Sequence, residues 1–112
     1  MCLFCKIAQK QIPSKIAFED DDLLAFHDIN PAAPTHVLVI PKQHLTSLSD
    51  ALPEHGDLLG QLLLAASRAA TMTGIAQSGY RIVANTGPDA GQSVFHLHIH
   101  VLGGRPMAWP PG

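Results

Sequence analysis

Charged residues are scarce in this chain, and their scarcity excludes several classes of function. Asp, Glu, Lys and Arg make up 14% of the 112 residues, and the formal net charge is -2. Nucleic acids and membrane surfaces are bound through clustered Lys and Arg, so we expect neither partner. No apolar run approaches the ~20 residues of a membrane span, and the first residues lack the pattern of a signal peptide. We therefore expect a cytoplasmic protein with a single domain over residues 1–112.

Cysteine is also scarce, since Cys2 and Cys5 are the only two in the chain. In a cytoplasmic protein, such a pair forms a disulfide less often than it stays reduced or binds a metal. The C-x-x-C spacing supplies half of a zinc site and needs two further ligands, whereas a redox motif would follow a strand. A metal site and a pair of free thiols both stay open on this evidence.

Histidine is the residue that the chain concentrates, in the segment His96-Leu97-His98-Ile99-His100-Val101-Leu102. In a β-strand, this period of two sends the imidazoles to one face and the aliphatic side chains to the other. The pattern predicts that Leu97, Ile99 and Val101 lie in the core while three imidazoles stand side by side on an open face. Such a row can bind a metal, or it can attack and hold an electrophile such as phosphorus.

The remaining elements follow from apolar spacing and from the positions of proline and glycine. We predict a short helix over residues 4–10, closed by Pro13, and one long helix from about Pro53 to Thr73, ended by Gly74. The expected apolar stripe of the long helix is Leu58, Leu59, Leu62, Leu63, Ala66, Ala69 and Ala70. Strands are expected over residues 16–19, 23–27, 36–40, 79–85 and 94–102. This order favours an α+β fold, an antiparallel sheet of about five strands with one long and one short helix.

Residues 91–105 resemble the signature of the histidine triad (HIT) family, and of its nucleotide-binding Hint branch in particular. Further blocks of similarity run through the chain, at Phe4-Cys5-Lys6-Ile7, Ala25-Phe26-His27-Asp28, Ala33-Pro34-Thr35-His36, Ile40-Pro41-Lys42 and Trp109-Pro110-Pro111-Gly112. The resemblance implies a two-fold homodimer with a sheet that continues across the interface. The tail, residues 105–112, would lie near the partner's active site, where Trp109 would help to shape the leaving-group side of the pocket.

The resemblance also implies an activity, that of a purine nucleoside phosphoramidase without a catalytic cofactor. Such enzymes cleave the P–N bond between a nucleoside 5′-phosphate and an amine through a nucleotidyl-histidine. His98 would be the nucleophile, and the backbone carbonyl of His96 would hold the proton on its other ring nitrogen. His100 would hydrogen-bond the phosphoryl group, His36 would complete the cluster, and Ser93 would donate to the departing amine.

A purine nucleotide site is implied in the same way. Asp28 would accept hydrogen bonds from the ribose hydroxyls, and Asn85 would contact the sugar–phosphate region. Donors to the phosphoryl oxygens would be the backbone N–H groups around Gly91, Gln92, Ser93 and Val94. The slot for the purine ring would be formed by Leu3, Phe4, Ile7, Phe26, Ile29 and Leu38.

Several of these residues also have simpler interpretations. Phe26 and Leu38 fit a plain core, and Asp28 and Asn85 are good turn residues. The Ser93 hydroxyl can also bond only to the local backbone. The two histidines that match no catalytic position are expected to be surface or structural residues; they are His27 and His55.

The cysteine pair gains two candidate partners from the resemblance. Some bacterial histidine triad proteins bind zinc through such a pair, a histidine after the Ile-Pro-Lys strand and the first triad histidine. The corresponding residues here are Cys2, Cys5, His44 and His96, which implies a structural zinc.

Two other functions remain open. One is a dinucleoside polyphosphate hydrolase or nucleotidylyl transferase of the same fold, although those branches commonly carry glutamine where this chain has His100. The other is a non-catalytic nucleotide-binding regulatory protein, which would not need the nucleophile His98.

Overall fold

Five antiparallel strands and two helices make up the fold in a computed structural model of the protein, which describes residues 2–112. Met1, the first residue of the expected domain, lies outside the described residues. In chain order the elements are α1 (Leu3–Ala8), β1 (Ile16–Glu19), β2 (Leu23–His27), β3 (Thr35–Pro41), α2 (Gly56–Met72), β4 (Tyr80–Val83) and β5 (Ile99–Gly103). The strand order in the sheet is β1-β2-β3-β5-β4. The predicted α+β fold is confirmed.

The central strand β3 determines which side chains meet on each face of the sheet. Leu38 is opposite Phe26 of β2 and opposite His100 of β5, so these three side chains share one face. Val37 and Val101 are paired in the same ladder and lie on the opposite face. The alternation therefore separates an aliphatic face from a face that carries histidine.

The long helix α2 covers the aliphatic face. Its buried side chains are Leu62, Ala65, Ala66, Ala69 and Ala70. The prediction that Leu63 belongs to this stripe is wrong, because its side chain is 53% exposed. Ala65 lies in the stripe instead, since it is three residues from Leu62 and thus on the same side of a helix. The predicted end of the helix is confirmed by Gly74, whose φ of 80° is the left-handed conformation that follows many helices.

The short helix α1 lies on the histidine face, against β2 and β3. It begins at Leu3 and ends at Ala8, so it is shorter than predicted, and Phe4 and Ile7 are its buried residues. They pack in a second core cluster with Leu24, Phe26, Leu38 and Ile40. Phe26 and Leu38 are therefore core residues as well as neighbours of the site.

The histidine segment departs from the prediction in its first half, because β5 begins at Ile99 rather than at residue 94. The β3–β5 ladder ends at the pair Val39 and Ile99, and β3 itself ends at Pro41, which has no N–H to donate. The Leu97 amide donates instead to the carbonyl of Leu45, in the loop after β3, at 2.6 Å. Leu97, Ile99 and Val101 are buried as predicted. The prediction that the three imidazoles stand on an open face is wrong for His96, which is completely buried, and for His98, which is 7% exposed.

β4 is the other strand that is shorter than predicted, and it pairs with β5 from Tyr80 opposite Gly103 to Val83 opposite His100. Within residues 2–112, no helix has the length and apolarity that crossing a bilayer requires.

Candidate active site and metal site

The ring of His98 is held in one tautomer by the backbone. Its Nδ1 lies 2.6 Å from the carbonyl oxygen of His96, and only a protonated nitrogen can donate to a carbonyl. Nε2 therefore carries the lone pair. The Phe4 ring meets the imidazole edge-on, with the centroids 5.0 Å apart and the planes at 88°. These two contacts fix both the tautomer and the orientation of a potential nucleophile.

A second chain of hydrogen bonds fixes the tautomer of His100. The Ala32 amide donates to Nδ1 of His36 at 3.0 Å, so His36 carries its proton on Nε2. That nitrogen lies 2.9 Å from Nδ1 of His100, which must then be the acceptor. Nε2 of His36 also lies 3.5 Å from Oδ2 of Asp28. His100 is left with its proton on Nε2, as a donor.

Burial keeps these imidazoles neutral. Desolvation lowers the pKa of His36, although the Asp28 carboxylate opposes the shift. Desolvation, followed by repulsion from His98 and His36, lowers the pKa of His100 to about 4. At pH 7, both rings are therefore neutral, as the hydrogen-bond chain requires.

Asp28, His36 and His100 also lie close enough together to hold a metal ion. A histidine nitrogen ligates only through a lone pair, but Nε2 of His36 carries a proton because Nδ1 accepts the Ala32 amide. The hydrogen bonds therefore favour a proton-ordering network at this position over a metal site.

A separate cluster joins α1 to the buried His96. The Nε2 proton of His96 goes to the carbonyl oxygen of Pro41 at 2.7 Å, which leaves Nδ1 as a free ligand atom. Nδ1 lies 3.3 Å from Sγ of Cys2, 3.4 Å from Sγ of Cys5 and 3.2 Å from Nδ1 of His44. We call these four residues the metal tetrad.

The tetrad has the dimensions of a zinc site. Zn–S bonds of about 2.3 Å and Zn–N bonds of about 2.0 Å in a tetrahedron put sulfur and nitrogen about 3.5 Å apart and the two nitrogens about 3.3 Å apart. The sulfur–nitrogen distances in the tetrad run from 3.2 to 3.5 Å. Burial, and then the neighbouring Cys2, raise the pKa of the Cys5 thiol, and a cation would relieve this cost. Geometry and donor set both fit zinc.

Beside the histidines lies an apolar slot of about 380 Å³. Six of its lining residues are those predicted for the purine site: Leu3, Phe4, Ile7, Phe26, Ile29 and Leu38. Asp28 and Ser93 also line it and bring polar atoms to an otherwise apolar cavity. Ile12, Pro13 and Ser14 also line the slot, which the sequence does not indicate, because a proline after a short helix predicts only the end of that helix. His27 also contributes to the lining, which its interpretation as a surface or structural residue did not include.

Comparison with known proteins identifies the family, since residues 9–107 match the HIT domain. The chain belongs to the histidine triad family. Adenylylsulfatase HINT1 of Arabidopsis thaliana is 53% identical over 112 residues, which cover 98% of this chain and 76% of that protein. The 14 kDa zinc-binding protein of Zea mays is 52% identical, with 98% and 87% covered. The crystal structure of a HIT family hydrolase from Legionella pneumophila superposes with a TM-score of 0.98 at 49% identity and covers all of both chains.

Hydrogen bonds within the loop before the triad reduce the number of backbone N–H groups that could donate to phosphoryl oxygens. The amides of Gly91 and Gln92 already donate within the loop, to the carbonyls of Pro88 and Gly87. The Gln92 side chain is likewise engaged, since its amide donates to Thr46 and Val94 carbonyls and accepts from the Gly87 amide. The candidate donors are therefore reduced to the amides of Ser93 and Val94.

The remaining polar residues considered in the sequence analysis differ in their surroundings. Asp28 does cap a turn, because its Oδ1 accepts the Asn30 amide at 2.8 Å, while Oδ2 faces His36. Asn85 lies two residues beyond the end of β4, whose last residue Val83 is paired with His100. His55 is structural, since its Nδ1 accepts the Leu52 amide at 2.8 Å.

The C-terminal tail, residues 105–112, carries its tryptophan on the surface of the protein. Trp109 is 81% exposed, and its ring lies 5.9 Å from the guanidinium of Arg81 on β4. A large aromatic ring on the surface is available for contact with another molecule.

Proposed function

We propose that the protein hydrolyses the P–N bond of purine nucleoside 5′-phosphoramidates, in which AMP or GMP carries an amine such as lysine. In the first step, Nε2 of His98 bonds to phosphorus while the P–N bond to the amine breaks. In the second step, the oxygen of water bonds to phosphorus while the bond from phosphorus to Nε2 breaks. Over the cycle, one proton passes from water to the amine, and the products are a nucleoside monophosphate and a free amine.

The observation that carries this proposal is the tautomer of His98. A neutral imidazole with its lone pair on Nε2 is a good nucleophile near pH 7, and its protonated form is a good leaving group. When Nε2 bonds to phosphorus, positive charge develops on the ring. The 2.6 Å hydrogen bond from Nδ1 to the carbonyl of His96 stabilises that charge without any rearrangement.

The groups around His98 include hydrogen-bond donors that would stabilise the negative charge on the phosphoryl oxygens. His100 presents Nε2–H as a donor because His36 occupies its other nitrogen. Together with the backbone amides of Ser93 and Val94, it would bind the phosphoryl oxygens as they gain charge. The Ser93 hydroxyl would pass its proton to the departing amine and regain one from the attacking water.

The apolar slot supports the proposal that the substrate is a purine nucleotide. Apolar walls from α1, β2 and β3 suit a flat heterocycle. Asp28 would accept hydrogen bonds from the ribose hydroxyls at the mouth of the slot, and Asn85 would contact the sugar–phosphate region.

We also propose a structural zinc ion on Cys2, Cys5, His44 and His96. The four protein ligands would fill a tetrahedral site, so the metal would cross-link α1 to the sheet and would offer no open position to a substrate. The name of the maize relative, a zinc-binding protein, supports this assignment. Catalysis itself would need no cofactor.

A homodimer is the assembly that we propose, with the sheet continuing from β4 of one protomer to β4 of its partner. β4 is an edge strand, which proteins usually cover, and Tyr80 and Ile82 are exposed on it. Trp109 would then contact the partner's pocket. Light scattering at micromolar concentration tests this assembly, and a monomer would contradict it. The cytoplasmic location stays a prediction.

A second candidate substrate is adenylyl sulfate, because a 53% identical relative is named an adenylylsulfatase. It would use the same attack by His98, with sulfate leaving in place of the amine.

Steady-state hydrolysis of adenosine 5′-phosphoramidate, adenylyl sulfate and a diadenosine polyphosphate, compared on one enzyme preparation, tests the proposal. We expect the phosphoramidate to have the highest kcat/KM. His98→Ala should lose all three activities, whereas the matched control His55→Gln, far from the slot, should keep them. A preference for the polyphosphate would favour the dinucleotide hydrolase, and AMP binding without any turnover would favour a regulatory protein.

A further inference from the structure

Helix α1 is too short to be stable without other support. It has six residues, whereas isolated helices shorter than about 12–15 residues are marginal in water. Its first turn depends on the tetrad, because Sγ of Cys2 accepts the Cys5 amide at 3.1 Å. The two cysteines lie on either side of Phe4, and their Sγ atoms face His44 and His96 of the sheet layer. A metal on the tetrad would therefore add to the packing of Phe4 and Ile7 against β2 and β3 in fixing where α1 lies.

Helix α1 supplies three of the apolar residues that line the slot. Leu3, Phe4 and Ile7 line the slot from α1, and Phe26 and Leu38 line it from the sheet. A displaced α1 would remove these three side chains from the slot and leave Ile12, Pro13 and the sheet residues as apolar contacts for a planar base. The nucleobase should therefore depend on α1 for much of its binding energy.

The phosphate end of the site is supported differently. The tautomers of His98 and His100 are set by the His96 carbonyl and, through His36, by the Ala32 amide. None of these hydrogen-bonding groups belongs to α1. Even the ring of His96 keeps a second anchor in Pro41. Helix α1 contributes an edge-on contact from Phe4 to the His98 ring, but the hydrogen bonds that set both tautomers should be kept when α1 moves.

We propose that Cys2, Cys5 and His44 are positioning residues for the nucleobase, because metal binding by the tetrad holds α1 as a wall of the base slot. Metal binding and base binding then strengthen each other, while binding of the ribose phosphate portion is independent of the metal. This proposal rests on the assignment of the slot to a purine ring, made above.

The proposal is tested by calorimetric titration of zinc-loaded and chelated protein with AMP and with ribose 5-phosphate, which lacks the base. We expect chelation to weaken AMP binding about tenfold and ribose 5-phosphate binding less than about twofold. Because coupling between two ligands is reciprocal, saturating AMP should raise the affinity for zinc by the same factor as zinc raises that for AMP. Ribose 5-phosphate should leave the zinc affinity unchanged.

Two variants keep the test specific. His44→Asn removes an exposed ligand, and its AMP affinity should equal that of chelated wild type and should not respond to added zinc. Gln43→Ala changes the exposed neighbour of His44 and should behave as wild type in every titration. Retained binding of ribose 5-phosphate by His44→Asn shows that the variant is folded; if it is lost, the comparison of loaded and chelated wild type decides.

Three results would overturn the proposal. AMP affinity could be the same with and without zinc, or both ligands could weaken equally on chelation, or the protein could bind no zinc. None of these results bears on P–N hydrolysis, which is measured by amine release. A zinc-loaded protein that binds AMP no better than ribose 5-phosphate would instead contradict the purine site itself.

Discussion

Acid should destabilise the folded protein through His100, and the effect can be calculated from its environment. Burial, with repulsion from His98 and His36, lowers the pKa of His100 from the ordinary 6.5 to about 4, while the Asp28 carboxylate acts in the opposite direction. At pH 7 the ring is neutral in the folded and the unfolded chain. As the pH falls below 6.5, the unfolded chain takes up a proton and the folded chain does not.

The unfolded state therefore gains stability between pH 6.5 and about 4, and the free energy of unfolding falls. One pKa unit corresponds to about 1.4 kcal/mol, so His100 alone should remove about 3 kcal/mol by pH 4. Below its folded-state pKa the loss should not grow further.

Urea denaturation of metal-free protein, measured between pH 7.5 and pH 4, checks this magnitude. Wild type should lose about 3 kcal/mol more than His100→Gln over this range, since the variant lacks the titrating ring. Gln61→Ala, a neutral change on the exposed side of α2, is the control and should follow wild type. Equal pH dependence in wild type and His100→Gln would refute the reasoning.

Three further predictions concern the nucleophile, the metal and the tail. His98→Ala should abolish turnover but keep AMP binding by calorimetry, and His100→Ala should lower kcat about 10²- to 10³-fold, as for loss of one oxyanion donor; near wild-type turnover in His98→Ala would contradict covalent catalysis. Protein expressed with added zinc should contain about one zinc per chain by metal analysis, and chelation should lower its Tm but leave kcat at saturating substrate unchanged where the fold persists; loss of kcat without unfolding would mean that the metal's role is wrong. Truncation after Gly104 should change kcat/KM among different amine leaving groups more than it changes AMP affinity, and an unaltered substrate profile would count against a role for Trp109.

The alternation of the histidine segment was sufficient to place its aliphatic residues in the core, because strand geometry is local. It was not sufficient to show where β5 begins. The β3–β5 ladder ends at the pair Val39 and Ile99, and farther along β3 the Pro41 carbonyl accepts a hydrogen bond from the ring of His96 instead. The burial of His96 is thus a consequence of tertiary contacts that no local period contains.

The metal tetrad shows the same division between local and distant information. The C-x-x-C spacing marks half of the site, but His44 and His96 became candidates only through resemblance to a family. The sequence also does not reveal which loop amides are free to bind a phosphoryl group. Gly91 and Gln92 donate their amides to carbonyls of the loop itself. Residue type predicted which atoms were available, and the fold determined which of them were already used.

The central claim is that the nucleotidyl group is transferred first to His98 and then to water. The configuration at phosphorus, followed with a substrate made chiral at that atom by sulfur and oxygen isotopes, tests it most directly. Each in-line displacement inverts phosphorus, so two displacements predict overall retention in the monophosphate product. Overall inversion would mean that water attacks the substrate in a single step, and it would contradict a nucleotidyl-histidine intermediate.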